Sequence, residues 1–393
     1  MLTAKQEQLI EATAPLVAEH LDTITQRFYP LMFERYPEIK PLFNQAHQAD
    51  GGQPRVLAGA VLAYVQLRKE PEKVKATLAT VVEKHVSLNI RPDQYPIVGE
   101  CLLAAVAEVL GDAVTPEIAD AWGALYEELA GLLTELEAKR YHEFAKRPGG
   151  WQGERAFRIV EKTPESSVIT SFVLAPEDGG TVADFEPGQF IGVHLVIDGE
   201  STYRHYSLSG FPNGKTYRLS IKRELQGKAS RHLHDTLRVG DTLNLLPPAG
   251  ELVLDESDAP VMLISGGVGQ TPMLPLAQHA LEQGRQVVYL HAAQEQDQHA
   301  FGDELQALEQ RYPRQLTSVT LYERGMEDAT EVHIGWIDRE LLARYLPEEQ
   351  AQCYFVGPQG FMTAVNDALA ALNVPQEHRH YEHFGPSQPL SAA

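Results

Sequence analysis

The spacing of apolar residues changes twice along the 393-residue chain, and this change most constrains the possible folds. In the first part, apolar residues recur at the spacing of amphipathic helices. Short β-like runs separated by turn residues follow, and after them strand-like runs alternate with helical ones. The sequence therefore predicts a multidomain protein with an all-α domain at 1–147, a small antiparallel β-barrel at 151–258 and an α/β domain with a doubly wound parallel sheet at 259–393.

The composition excludes several classes of partner and redox centre. The chain has 54 Asp and Glu against 33 Lys and Arg, a net charge of −21, which argues against nucleic acid and anionic membrane as partners. No apolar run approaches the roughly 20 residues that span a bilayer, and the N-terminus does not resemble a secretory signal peptide. Two cysteines cannot supply the four thiolates of an iron–sulfur cluster. We expect a cytoplasmic protein whose redox centres are other groups.

One histidine lies on the apolar face of a predicted helix. In "KVKATLATVVEKH", Val74 and Leu78 belong to a face whose next step is His85. Such a histidine is more often a core residue with a satisfied hydrogen bond than a ligand. A neighbouring helix, predicted to begin near Gln53, places Gln53 and Leu57 on one face. A polar amide above an apolar stripe is typical of a pocket whose ligand needs a hydrogen bond.

The helical segment contains "RFY" at 27–29, "PLFN" at 41–44 and "KHVSL" at 84–88. With these motifs it resembles the globin domain of the flavohemoglobin family. The resemblance implies one haem b, with His85 as the proximal iron ligand and Tyr29 as hydrogen-bond donor to bound oxygen. It also implies distal contacts from Gln53 and Leu57, packing of Phe43 on the porphyrin, and a proximal network of Tyr95 and Glu137, with Glu135 as the open alternative to Glu137.

A carboxylate in the proximal network would change the chemistry of a histidine ligand. A carboxylate that accepts the imidazole N–H makes the other nitrogen a stronger donor to iron, which favours activation of oxygen over its carriage. On the distal side, Tyr29 precedes Pro30 inside a predicted helix. Because proline disfavours the α conformation of the preceding residue, we expect a kink that affects the position of the Tyr29 hydroxyl.

Two strand-like segments contain "PGQF" at 187–190 and "RHYSLS" at 204–209. An aromatic face, a small hydroxyl and a guanidinium suit a flat electron carrier with a phosphate tail. Both motifs resemble those of the ferredoxin–NADP reductase superfamily, which implies one FAD bound by Arg204, Tyr206 and Ser207. The other flavin contacts that the resemblance implies are Phe190, His205, Ser230 of "GKAS", and His383, Phe384, Gly385 and Pro386 of the C-terminal "HYEHFGP", with Glu382 nearby.

A predicted strand runs into glycines and then a helix at "ISGGVGQTPM", 264–273. Many glycine-rich turns are only tight turns, but a helix N-terminus after the first strand of an α/β domain can hold a pyrophosphate. The motif resembles the nicotinamide-binding motif of the same superfamily, and "YFVGPQGFM" resembles its second motif, with Val356 where relatives often carry cysteine. The resemblance implies NADH or NADPH as electron donor, bound by Gly267, Val268, Gly269, Gln270, Thr271 and Pro272.

The motifs occur in the order haem, flavin, nicotinamide. A nicotinamide gives up two electrons as hydride and a haem iron takes one at a time, so a flavin must stand between them. The resemblance thus implies an enzyme, an NAD(P)H-dependent nitric oxide dioxygenase, in which ferrous haem reduced through FAD binds oxygen and converts nitric oxide to nitrate. The alternatives are reduction of peroxides or ferric chelates, and an oxygen or nitric oxide sensor.

Oxygen, nitric oxide and NAD(P)H are the partners that this interpretation predicts. In the flavohemoglobin family the positions of Lys84 and Glu382 tune the two redox centres, and the resemblance implies the same roles for them here. A solvated charge is an equally good interpretation of Lys84 from the sequence alone. We expect the chain to be a monomer.

Overall fold

The structure is a computed structural model that describes residues 2–43, 52–324, 333–347, 350–384 and 390, without the side chains of 52–58. Packing divides the chain into two compact units. The first ends at Lys146, and the second begins at Arg147 and contains both sheets apart from a hairpin tip at Asp198–Tyr203. In the ranges that the structure describes, no helix is long and apolar enough to cross a membrane.

The first unit consists of helices and the turns between them. Thr3 begins the first helix with a capping box, because its hydroxyl accepts the N–H of Gln6 and its own N–H donates to the Gln6 side chain. Pro71 and Pro116 occupy first helical positions, where the missing proline N–H costs no hydrogen bond. The helices are α1 (Ala4–Glu19), α2 (Leu21–Arg35), α3 (Gly52–Leu67), α4 (Pro71–Val86), α5 (Tyr95–Leu110) and α6 (Pro116–Lys146).

The helical periodicity that the sequence predicts matches the buried faces of these helices. In α4 the residues Val74 and Leu78 are buried, and His85 lies in the last turn. The third helix begins at Gly52, one residue from the predicted start. The second helix is continuous from Leu21 to Arg35 with Pro30 inside it. Pairwise packing of α2 with α5, α1 with α6 and α4 with α6 builds the core of this unit.

The second unit begins with a curled antiparallel sheet. Its strands are β1 (Arg155–Pro164), β2 (Ile169–Pro176), β3 (Phe190–Ile197), β4 (Glu200–Ser207), β5 (Tyr217–Lys222) and β6 (Thr242–Leu245), in the order β4-β3-β6-β1-β2-β5. The chain beyond β4 meets the opposite edge at one antiparallel bridge, Leu208–Leu219, so the sheet curls toward closure. The prediction of a small antiparallel barrel is confirmed. A short helix, α7 (Lys228–Arg231), follows β5.

A parallel sheet forms the rest of the second unit. Its strands are β7 (Val261–Gly266), β8 (Val287–Ala293), β9 (Leu316–Tyr322), β10 (His333–Ile334), β11 (Gln352–Val356) and β12 (Arg379–Tyr381), in the order β10-β9-β8-β7-β11-β12. The helices between them are α8 (Gln270–Glu282), α9 (Gly302–Arg311), α10 (Arg339–Tyr345) and α11 (Gln359–Ala371). Strand order reverses at β7, which makes the sheet doubly wound, as the sequence predicts. Ligands bind such sheets at this reversal, beyond the strand C-termini.

A glycine lets two helices of the first unit approach closely. A Cβ atom at Gly99 on α5 would lie 2.5 Å from Cε1 of Tyr126 on α6, a distance that real Cβ contacts do not show. The Tyr126 hydroxyl donates to the backbone oxygen of Tyr95 at 2.8 Å. Because Gly99 leaves room for the Tyr126 ring, this hydrogen bond can form at Tyr95, the first residue of α5.

Substitution of Gly99 by alanine should destabilise the helical unit. The added methyl group must displace the Tyr126 ring, and we expect a net loss of about 1–3 kcal/mol in the free energy of unfolding. Gly131 on α6 has open space around its Cβ position, so Gly131→Ala should instead stabilise by up to about 1 kcal/mol through helix propensity. Urea unfolding of the full chain, followed by far-ultraviolet circular dichroism, compares the two. Equal stabilities would contradict this packing argument.

Candidate functional site

Three helices bring His85, Tyr95 and Glu137 to one point in the first unit. His85 lies in the last turn of α4, Tyr95 is the first residue of α5, and Glu137 lies within α6. The Nδ1 atom of His85 is 2.7 Å from Oε1 of Glu137 and 3.0 Å from the hydroxyl of Tyr95. That hydroxyl donates to the same carboxylate oxygen at 2.5 Å. The carboxylate is buried, with 2% of Glu137 exposed.

This arrangement decides which nitrogen of His85 carries the proton. Tyr95 has one hydroxyl proton and donates it to Glu137, so the Nδ1 of His85 must be the second donor. A neutral imidazole protonated at Nδ1 keeps its lone pair on Nε2, where it can bind a metal ion. Burial and the Glu137 carboxylate raise the pKa of Tyr95 far above its usual range, so its hydroxyl stays a donor.

The structure resolves the choice between the two glutamates that the sequence leaves open. Glu137 is buried against His85, whereas Glu135 is exposed. Two residues that sequence analysis did not select support the cluster. Tyr126 donates to the backbone oxygen of Tyr95 at 2.8 Å, and Tyr141 donates to that of Ile90 at 2.9 Å. The motifs gave no signal for either tyrosine, because both act on backbone atoms.

Tyr29, which is predicted to lie on the distal side opposite His85, belongs to a group of aromatic side chains. Its ring centroid is 4.7 Å from that of Phe28 and 5.7 Å from that of Phe43. Burial raises the pKa of Tyr29, so the hydroxyl remains protonated and can donate a hydrogen bond. The predicted contacts of Gln53 and Leu57 lie outside the described residues, because their side chains on α3 are not described.

The motif predicted to bind flavin, 204–209, begins within strand β4 and continues past its end at Ser207. The Oγ atom of Ser207 is buried without a hydrogen-bond partner among the residues that the structure describes. Burial lowers the pKa of Arg204 and raises that of Tyr206, because both lie partly within the protein. A buried hydroxyl without a partner is costly unless a ligand supplies one. This orphaned hydroxyl is consistent with the predicted flavin contact.

The other predicted flavin residues gather around Phe190, at the start of β3. Its ring centroid is 4.9 Å from that of His205. A Cβ atom at Gly250 would lie 2.9 Å from the Phe190 ring and 3.5 Å from Oε1 of Glu382. The "PGQF" motif and the C-terminal motif therefore meet in space. Gln189, which sequence analysis passed over within that motif, is buried and donates to the backbone oxygen of Gly250 at 3.2 Å.

The other two parts of the predicted flavin site are Ser230 and the C-terminal motif, and their side chains make different kinds of contact. The Ser230 hydroxyl accepts the Glu224 N–H at 3.1 Å and donates to the Gly227 oxygen at 3.3 Å, so it closes its own turn. Phe384 is exposed, with 43% of its surface accessible. The ring of His383 lies 5.5 Å from that of Tyr381. Gly385 and Pro386 lie outside the described residues.

The two predicted nicotinamide motifs also meet. Strand β7 ends in a turn at Gly267–Gly269, and Gln270 begins α8. A Cβ atom at Gly269 would lie 2.1 Å from the backbone oxygen of Val356, so only glycine permits this approach. The Thr271 hydroxyl donates to the Val268 oxygen at 2.9 Å. The Gln270 side chain is buried, and its Nε2 atom has no hydrogen-bond partner within the described residues.

Three known families match successive segments of the chain. The globin family matches residues 26–133, the oxidoreductase FAD-binding domain family residues 156–254, and the oxidoreductase NAD-binding domain family residues 263–367. The flavohemoprotein of Pseudomonas putida is 47% identical to this chain, over 99% of the chain and 100% of the relative. The chain belongs to the flavohemoprotein family. The flavohemoprotein of Pseudomonas aeruginosa is 45% identical over the full length of both chains.

Solved structures agree with this membership of the flavohemoprotein family. A flavohemoglobin from Malassezia yamatoensis with bound FAD and haem has a TM-score of 0.86 and 27% identity, and covers 98% of this chain and 100% of its own. The flavohem-like FAD/NAD-binding domain of nitric oxide dioxygenase from Vibrio cholerae is 38% identical, with a TM-score of 0.54. It covers 59% of this chain and 99% of its own.

The predictions of fold class, enzyme class and cofactors are confirmed at the level of the family. As a flavohemoprotein, the chain is an NAD(P)H-dependent flavohaem oxidoreductase with haem, FAD and a nicotinamide dinucleotide. The residues present fit these groups, because the proton on Nδ1 of His85 leaves the lone pair on Nε2, and the buried Ser207 hydroxyl has no partner among the described residues. The roles of the individual site residues stay predictions. Lys84 lies next to His85 in the last turn of α4.

Replacing the buried carboxylate should weaken the donor strength of His85. In Glu137→Gln the partner of Nδ1 is neutral, so we expect the iron–histidine stretching frequency in the resonance Raman spectrum of the ferrous protein to fall. Loss of such a supporting partner typically lowers activity about 10–100-fold. The matched control is Glu135→Gln, two positions away and exposed, which should leave both quantities unchanged. An unchanged stretching frequency in Glu137→Gln would argue against an anionic partner for His85.

The Ser207 hydroxyl, which has no partner in the described part of the chain, should matter to flavin binding and not to the stability of the fold. Ser207→Ala is expected to change the free energy of unfolding of the flavin-free protein by less than about 1 kcal/mol, and to slow flavin reduction by NADH about tenfold. Ser171 is a buried serine of the same sheet whose hydroxyl has a partner, Ser220, at 2.6 Å. Ser171→Ala should therefore show the opposite pattern: a loss of about 1–2 kcal/mol, with normal flavin reduction. Urea unfolding and stopped-flow absorbance measure the two effects, and a stability loss in Ser207→Ala without slower reduction would contradict the assignment.

Proposed function

We propose that the chain is an NAD(P)H-dependent nitric oxide dioxygenase. The reaction takes one NAD(P)H, two nitric oxide and two oxygen molecules to one NAD(P)⁺, two nitrate ions and one proton, so the two electrons of the donor balance two turnovers. The observation that carries the proposal is the hydrogen bond from Nδ1 of His85 to the buried Glu137 carboxylate, on a chain that contains its own FAD- and NAD-binding domains.

The proximal cluster would favour oxygen chemistry over oxygen carriage. When bound, the haem supplies the iron at which oxygen and nitric oxide react, and FAD divides the electron pair of NAD(P)H into single electrons. We propose His85 as the iron ligand through Nε2. Glu137 accepts the His85 N–H and makes the imidazole a stronger donor, and Tyr95 holds Glu137 in place. A carrier that only binds and releases oxygen would gain nothing from that anionic partner.

The distal residues would position the reacting gas molecules. We propose that Tyr29 donates a hydrogen bond toward the iron site, since its raised pKa keeps the hydroxyl protonated. Phe43, whose ring lies 5.7 Å from that of Tyr29, would pack against the porphyrin. Gln53 and Leu57 are proposed to complete the distal side, on the basis of the family resemblance.

The reductase residues would orient the electron donors. We propose that the predicted flavin contacts hold FAD, that the turn after β7 holds the pyrophosphate of NAD(P)H, and that Lys84 and Glu382 tune the haem and the flavin. The flavin contacts are Phe190, Arg204, His205, Tyr206, Ser207, Ser230, His383, Phe384, Gly385 and Pro386, and the dinucleotide contacts are Gly267, Val268, Gly269, Gln270, Thr271 and Pro272. We further propose the domain limits 1–147, 151–258 and 259–393.

The likeness to the FAD/NAD-binding domain of the Vibrio cholerae nitric oxide dioxygenase supports this choice among flavohaem reactions. We propose a monomer in the cytoplasm, where NAD(P)H is available. The two alternatives, a peroxide or ferric reductase and a gas sensor, use the same cofactors and are distinguished by their products.

Nitrate yield tests the proposal directly. With NADH, oxygen and nitric oxide, the purified holoenzyme should form about two nitrate ions for each NADH consumed, and none without oxygen. His85→Ala should abolish nitrate formation, because the iron loses its protein ligand. The same variant should keep NADH-dependent ferricyanide reduction within about twofold, since this needs only the flavin half. Faster turnover with peroxide or ferric citrate and no nitrate would favour the reductase alternative, and no turnover at all would favour the sensor.

A further inference from the structure

Arg218 on β5 joins the flavin-binding sheet to the nicotinamide-binding domain. Its Nη1 and Nη2 atoms donate to the two carboxylate oxygens of Glu304 at 2.6 and 3.0 Å. The guanidinium carbon lies 5.2 Å from the centroid of the Phe301 ring. Glu304 lies in the first turn of α9, and Phe301 immediately precedes that helix. The planar fork of arginine thus makes both of its preferred contacts, a bidentate carboxylate and an aromatic face, with one segment.

The same guanidinium holds the backbone just beyond the predicted flavin strand. Its Nη2 atom also donates to the Ser209 oxygen at 2.6 Å, two residues after Ser207. In return, the Ser209 N–H donates to the Arg218 oxygen at 2.9 Å. A Cβ atom at Gly210 would lie 3.0 Å from that of Arg218, so the two backbones are close. Movement of Arg218 would therefore move the end of β4.

On the nicotinamide side, the contacted segment holds an unusual backbone conformation. Phe301 has φ 61° and ψ 20°, the left-handed region that non-glycine residues rarely adopt. Such a conformation persists only where the surroundings hold it. The Phe301 ring is 5% exposed and packs in one core cluster with Met273 and Ala277 of α8, the helix that begins at the predicted dinucleotide turn. Arg218 is thus linked through Phe301 to the helix that would carry the pyrophosphate.

We propose that Arg218, with Glu304, is a positioning residue for hydride transfer. The pair fixes the end of β4, which carries the flavin contacts, against the segment that supports α8. Hydride transfer moves two electrons and one proton from the nicotinamide ring to the flavin, so the donor is oxidised and the acceptor reduced. A displacement of about 1 Å between reacting groups can cost about 100-fold in rate. The inference rests on the proposed function in one respect, that NAD(P)H donates the hydride to FAD.

The test separates positioning from simple stabilisation. In Arg218→Met, which keeps the length of the side chain and removes the charge, we expect the limiting rate of flavin reduction by NADH to fall about 10–100-fold. The NADH concentration at half-maximal rate and the FAD content should stay within about twofold. Glu304→Gln should give a smaller loss in the same direction, and the double variant should be no worse than Arg218→Met, because the two residues act as one unit.

Arg155 offers a matched control in the same sheet. It makes a bidentate contact with Asp178, at 2.7 and 3.0 Å, donates to the Thr181 oxygen at 3.0 Å and lies over the Trp151 ring at 5.5 Å. Its Nη1 atom also donates to the Gly149 oxygen at 3.2 Å, just before the predicted flavin domain, and the other partners belong to that domain. None of these partners belongs to the nicotinamide-binding domain. Arg155→Met should therefore lower the unfolding midpoint as much as Arg218→Met does, without slowing flavin reduction.

A second readout does not depend on activity. Hydrogen exchange of the oxidised protein without NADH should become faster around Ser209 and around Phe301 in Arg218→Met, and at neither segment in Arg155→Met. If Arg218→Met fails to bind FAD, Glu304→Gln decides alone, because Glu304 lies outside the flavin sheet. An unchanged limiting rate of flavin reduction in the FAD-loaded variant, or an equal loss in Arg155→Met, would overturn the inference. Neither outcome bears on nitrate formation, so failure here is distinct from failure of the proposed function.

Discussion

The buried carboxylate of Glu137 is the interaction on which the organisation of the helical unit depends. A carboxylate removed from water is stable only if donors replace its hydration, and His85 and Tyr95 supply them at 2.7 and 2.5 Å. Since the three residues come from α4, α5 and α6, one hydrogen-bonded point ties three helices together. The same bond fixes the tautomer of His85. The same hydrogen bonds therefore hold the three helices together and prepare His85 to bind a metal ion.

Each predicted cofactor site of the second unit contains a buried polar atom that has no hydrogen-bond partner among the described residues. Elsewhere in the curled sheet, buried hydroxyls such as those of Ser171 and Ser220 bond to one another at 2.6 Å. Ser207 and Gln270 each bury a polar atom without a partner within the described part of the chain, and both lie in predicted cofactor motifs. The Nε2 atom of His291 is likewise buried with no partner in the ranges that the structure describes, and burial lowers the pKa of His291 to about 3. An unpartnered atom therefore indicates a ligand only where the surrounding motif agrees.

Much of the architecture could be predicted because its causes are local in sequence. Helical periodicity placed His85 on the face that follows Val74 and Leu78, and the start of α3 was predicted within one residue. The strand, glycine turn and helix around Gly267–Gly269 follow each other directly in sequence, as a motif requires. Pro30 does not end its helix, because α2 is continuous from Leu21 to Arg35, and the kink and its effect on the Tyr29 hydroxyl stay predictions.

The sequence by itself determined the order of the three folds, the helix that carries His85 and the motifs suited to each cofactor. Only the tertiary structure decided that Glu137 and not Glu135 meets His85, 52 residues away, and that Arg218 meets Glu304, 86 residues away. The reason is physical. Residue type and spacing fix which side of a helix or strand a side chain occupies, but the distance between two side chains on different elements depends on how those elements pack.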